Sequence, residues 1–106
     1  MTLAEITGAE QELVWQKIRG DMEFGGAIFN RFDSNDAVKE YYSANAEPDT
    51  PENLEKDEKC IQGWTYIADY TIHSLSPGCD CFKYYIHARI RENYEIEFAA
   101  FEFVYD

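Results

Sequence analysis

FKYYIHARIRENYEIEFAAFEFV, residues 82–104, decides the fold. Apolar and polar side chains alternate through it, the period of a strand with one buried face. Phe82, Tyr84, Ile86, Ala88 and Ile90 fall on one side of the first strand, and Lys83, Tyr85, His87, Arg89 and Arg91 on the other. A further strand runs from Glu95 to Tyr105. Charge sets the register between the two. A loop made of Glu92, Asn93 and Tyr94 places Arg91 opposite Glu95 and Arg89 opposite Glu97, with Ile90 beside Ile96 and Ala88 beside Phe98. A shorter loop would set Glu95 and Glu97 against the apolar face. Opposite-charge and apolar cross-strand pairs each contribute roughly 0.2–1 kcal/mol, so the longer loop is favoured.

Working back, the same period holds in WTYIADYTIH, residues 64–73. It places Trp64, Tyr66, Ala68, Tyr70 and Ile72 on one face and Thr65, Ile67, Asp69, Thr71 and His73 on the other. Ser76-Pro77-Gly78 marks the turn to the next strand. The result is an antiparallel meander whose apolar face needs a helical cover.

The helices come first in the chain. Thr7 and Glu10 have capping-box spacing, and Val14, Trp15, Ile18 and Met22 recur at helical intervals, predicting a helix over residues 9–22. Thr2 with Glu5 offers a weaker second start, and Gly25-Gly26 reads as the terminator. Residues 26–32 fit either a short strand or a linker, so a fourth edge strand over 27–32 stays open. Asp33-Ser34-Asn35-Asp36 then starts a short second helix ending near Ser43. The fold class is therefore α+β. An N-terminal helix and a short second helix pack on one face of a three- to four-stranded antiparallel meander. Residues 1–106 form one domain, with an acidic loop or short helix at 45–60.

Composition narrows the function classes. The formal charge is −12, from 21 acids against 9 bases. Such a field repels phosphates, which argues against direct contact with nucleic acid or an anionic membrane. It favours a basic partner, such as a nucleic-acid-binding protein or a nuclease. The first residues lack a basic stretch followed by an apolar one, and no apolar run approaches the ~20 residues that span a bilayer. With an odd number of cysteines (Cys60, Cys79, Cys81), the expectation is a cytoplasmic protein.

Few residues carry recognisable chemistry. Cys79-Asp80-Cys81 with His73 offers metal-ligand types, but the spacing falls outside the usual zinc pattern and Cys60 is a poor fourth ligand. His73 and His87 have the right chemistry for general bases, yet neither belongs to a nucleophile motif. No metal, cofactor or catalytic set is expected.

The acids are the main candidates. Asp33, Asp36 and Glu40 lie three and four apart, and Glu47, Asp49, Glu52, Glu55, Asp57 and Glu58 follow in a segment poor in apolar residues. This surface is assigned to a basic partner. The profile is shared in type by phage anti-defence and toxin-immunity proteins, which block basic nucleic-acid-binding surfaces. Tyr85, Phe101 and Phe103 are expected as exposed anchors of a secondary interface, compatible with a homodimer. Two other classes stand beside this one. One is a small ligand-binding or enzymatic domain with a pocket lined by Trp64, Tyr66, Tyr70 and Tyr84. The other is a subunit of a homo- or hetero-oligomeric assembly.

Overall fold

The computed structural model describes residues 2–44, 59–73 and 81–104. Their elements run β1 (Thr2–Glu5), α1 (Gly8–Gly20), α2 (Met22–Arg31), α3 (Asn35–Ala44), β2 (Thr65–His73), β3 (Cys81–Ile90) and β4 (Ile96–Val104). The strands form one antiparallel sheet in the order β1-β4-β3-β2. This is the expected α+β arrangement. No helix among the described residues is long and apolar enough to cross a membrane.

The β3–β4 hairpin has the register that charge favours. Ala88 faces Phe98, Arg89 faces Glu97 and Ile90 faces Ile96. The Arg91 amide donates to the Glu95 carbonyl at 2.9 Å, closing the loop of Glu92, Asn93 and Tyr94. Arg89 grips Glu97 with two hydrogen bonds of 2.9 and 3.0 Å, and Arg91 adds a third at 2.8 Å. Those bonds, Arg91's foremost, hold the Glu97 carboxyl below the usual carboxylate range.

One face of the sheet carries the main core. Val14 and Ile18 of α1 pack on Tyr84, Ile86 and Ala100, all buried. Trp15, Phe24, Phe29, Tyr70, Ile72 and Phe98 pack around them. Full burial of one such side chain contributes about 1.5–3 kcal/mol, so this cluster holds helices to sheet. α3 joins the same layer at its edge, where Val38 is buried and Phe32 lies between Tyr41, met edge-on at 5.2 Å, and Phe98, tilted at 5.6 Å.

Four local expectations are corrected. The weak helix start at Thr2 is instead strand β1, because the free edge of β4 offers its backbone partners from Phe101 to Val104. The helix expected over 9–22 is α1, which stops at Gly20, and a second helix follows it directly, joined at Asp21. Its amide donates to the Lys17 and Ile18 carbonyls while its carboxylate accepts from the Phe24 amide, so one residue closes α1 and opens α2. Gly25-Gly26 does not end a helix. Both lie inside α2, where a Cβ on Gly25 would come within 2.3 Å of the Ile18 carbonyl oxygen. The missing side chain is what lets the two helices approach, and that outweighs the roughly 0.5–1 kcal/mol glycine costs in a helix. With residues 22–31 helical, the possible fourth strand at 27–32 does not form.

A further difference lies in β2. Pairing runs Thr65↔Ala88 and Tyr66↔His87, then jumps to Ala68↔Ile86, so Ile67 is an extra residue. A bulge of this kind reverses which face each side chain takes. Ala68, Tyr70 and Ile72 stay with the main core. Trp64 and Tyr66 cross to the opposite face, against the strict alternation expected.

Candidate functional site

Three regions bear on function: the acidic row, the second face of the sheet, and the groove beside β4. The row begins where Ser34 caps α3, its hydroxyl accepting from the Ala37 amide at 3.1 Å. Asp33 precedes the helix, and Asp36 and Glu40 lie on it. All three are exposed, and none forms an ion pair among the described residues. Glu47, Asp49, Glu52, Glu55, Asp57 and Glu58 lie outside the described residues.

The second face of the sheet is not an open interface. Tyr85 and Phe101 are only 4% and 5% exposed, which corrects the expectation of exposed anchors, and Phe103 is half-buried. The bulge supplies the reason. By turning Trp64 and Tyr66 to this side, it sets the Trp64 ring 5.8 Å from Phe101 and the Tyr66 ring 6.0 Å from Tyr85. Phe103 closes on Tyr85 at 5.5 Å. Cations cover the rings: Arg89 lies 4.5 Å above Trp64, Lys59 lies 5.1 Å from Tyr66, and Lys83 lies 5.4 Å from Tyr85. A quadrupolar ring face attracts such a charge by about 0.5–1 kcal/mol at a partly exposed site.

His87 sits at the centre of this second cluster and is fully buried. Its ring meets Tyr66 and Phe101 edge-on at 5.8 and 5.1 Å. Nε2 lies 2.6 Å from the Lys59 carbonyl and Nδ1 3.2 Å from the Tyr85 carbonyl. His87 shares a strand side with Lys83, Arg89 and Arg91, yet unlike them it is closed off from solvent. Its role here is to tie the segment before β2 onto the sheet. Strand alternation alone could not show this, because the partner is a backbone carbonyl distant in sequence.

The bulge also divides the tyrosines expected to line one pocket. Tyr84 remains under the helices and donates to Glu10 at 3.0 Å; burial first, and then that bond, pushes its hydroxyl up to about 12. Tyr70 donates to the Lys17 carbonyl at 3.2 Å and stacks on Phe24 at 4.6 Å. Trp64 and Tyr66 lie on the other side of the sheet, so the four residues do not share a cavity.

A groove of about 320 Å³ lies elsewhere, between α1, α2 and the start of β4. Trp15, Phe29 and Phe98 form its apolar wall, with rings 5.8–6.4 Å apart, and Arg19, Ile96 and Glu97 complete it. None of these except the acid and base has catalytic chemistry, and Glu97 is already held by two arginines. No group of three or more metal-ligating side chains gathers among the described residues. His73 faces Cys81 in the β2–β3 register, while Cys79 lies outside the described residues. The groove escaped the sequence reading because its residues come from three separate elements. Compared with protein families, with curated proteins and with solved structures, the chain finds no match.

Proposed function

We propose that this chain is a small protein-binding inhibitor whose acidic surface occupies the basic, nucleic-acid-binding surface of a partner protein. The observation that carries the reading is the row of Asp33, Asp36 and Glu40. All three carboxylates are exposed and unneutralised by ion pairs among the described residues; Asp36 and Glu40 are one helical turn apart on α3, and Asp33 stands just before its cap. They belong to a chain of formal charge −12, which steers cationic surfaces toward it and repels phosphate. Glu47, Asp49, Glu52, Glu55, Asp57 and Glu58 extend the same charge in sequence.

The test separates steering from solubility. Proteins retained by the immobilised chain at low salt are identified, and the association rate of a retained basic protein is measured against ionic strength. The triple variant D33N/D36N/E40Q should bind several-fold more slowly and show a flatter salt dependence. Identical curves for variant and wild type would leave the acids as solubilising charge only.

A further inference from the structure

Among the described residues, the outer edge of β4 is only partly covered. β1 pairs with it from Phe101 to Val104 and goes no further. The bond from the Arg91 amide to the Glu95 carbonyl fixes the hydrogen-bonding parity of the hairpin. Residues 97, 99 and 101 direct their peptide groups at β3; residues 96, 98 and 100 direct theirs away. At Ala100 a side chain replaces the missing strand: Gln11 Nε2 donates to its carbonyl at 2.6 Å, and Gln11 Oε1 accepts from its amide at 3.1 Å. Trp15 Nε1 donates to the same oxygen at 3.2 Å, fixing the amide in place. Beyond Gln11, the outward N–H and C=O groups of Ile96 and Phe98 have no strand beside them among the described residues.

Those two residues also line the aromatic groove with Trp15, Phe29 and Arg19. Edge and groove make a single slot. In an antiparallel pair, a residue whose peptide groups bond Phe98 or Ile96 projects its side chain to the same face as theirs. That face holds the groove.

We propose that the β4 edge at Ile96–Phe98 accepts an extended segment of the basic partner, which adds a short strand and seats one apolar side chain in the groove. This rests on the basic-partner reading above. Main-chain bonds would supply affinity and the pocketed side chain specificity, as in other strand additions. Charge selects the occupant. A second copy would bring one chain of formal charge −12 against another. The hairpin end of the edge carries Glu92 and Glu95, both exposed and outside the ion pairs that hold Glu97. A segment alternating lysine or arginine with apolar residues meets both requirements.

The probe is the synthetic peptide acetyl-KVKFKVK-amide added to isotope-labelled full-length chain, read by amide resonances and hydrogen exchange. The Ile96 and Phe98 amides should shift and exchange at least tenfold more slowly. Methylating the phenylalanine amide nitrogen of the peptide should weaken binding at least tenfold, whereas methylating a neighbouring lysine amide, which points away, should not. Ile96→Pro deletes one edge donor and one groove-lining side chain without touching the bonds to β3, and should give at least as large a loss. Peptide shifts confined to α3 would overturn the edge site while leaving the acidic reading standing. Equal edge shifts with acetyl-EVEFEVE-amide would overturn the basic occupant and count against both. Protection of Ile96 and Phe98 that grows with chain concentration and needs no peptide would assign the edge to a second copy and overturn the inference.

Discussion

Gly25 and Gly26 are adjacent in one helix, yet they answer to different forces. A methyl on Gly25 would press against the Ile18 backbone, which cannot swing aside, whereas on Gly26 its nearest neighbour is Asn30 Nδ2 at 3.9 Å. Gly25→Ala should therefore destabilise the protein by about 2 kcal/mol, since overpacking exceeds the gain in helix propensity. Gly26→Ala should stabilise it by about 0.5–1 kcal/mol. Urea midpoints of the two variants check both signs, and equal effects would remove the close-crossing argument. Tyr84 gives a residue-scale pH dependence. Its hydroxyl ionises near 10 when unfolded and is raised to about 12 when folded. The unfolded state then loses its proton first. Stability is complete below pH 10 and falls as pH rises toward 12, by on the order of 2 kcal/mol from this group. Tyr84→Phe should make that alkaline decline shallower in a denaturation series, and an unchanged slope would sink the assignment.

At the scale of elements, the β3–β4 hairpin combines a favourable ladder with a strained turn. Tyr94 has φ of 61°, the left-handed region that a three-residue hairpin loop usually gives to glycine. Its ring lies 5.7 Å from Lys39 at the molecular surface, a contact worth about 0.5 kcal/mol or more. Relief of the backbone strain is larger, so Tyr94→Gly should raise stability by about 1 kcal/mol in thermal unfolding. A loss would show that the contact with α3 outweighs the turn. The register of this hairpin was legible from Arg89, Arg91, Glu95 and Glu97 because cross-strand charge is a local property of two neighbouring segments. The face change in β2 was not legible. A bulge at Ile67 leaves no mark in an alternating pattern, and its benefit appears only when Trp64 and Tyr66 find rings on β3 and β4.

For the whole molecule, net charge matters more than any single pair. A domain of −12 repels itself when compact, and the ion pairs among the described residues are on the surface. Screening shortens the reach of charge to about 8–10 Å at physiological salt, so added sodium chloride should raise the melting temperature, despite weakening the Arg89–Glu97 pair. D33N/D36N/E40Q should unfold within about 0.5 kcal/mol of wild type and show a smaller salt response. Differential scanning calorimetry over a salt series reads both quantities. A melting temperature that falls with salt would mean that the attractive pairs dominate the field.

The sequence by itself determined the class of fold, the β3–β4 register, the Thr7 start of α1 and the acidic character of the surface. Each depends on side-chain periodicity or charge within a short span, where the local rule and the final structure agree. The strand identity of Thr2–Glu5, the course of α2 through two glycines, the burial of His87 and the slot beside Ile96 and Phe98 came only with the tertiary structure. These depend on backbone groups and open spaces supplied by distant parts of the chain. β1 exists because β4 has an edge to fill, Gly25 is helical because α1 must pass close by, and His87 is buried because the Lys59 carbonyl reaches it. No periodicity encodes a partner that arrives from elsewhere in the fold.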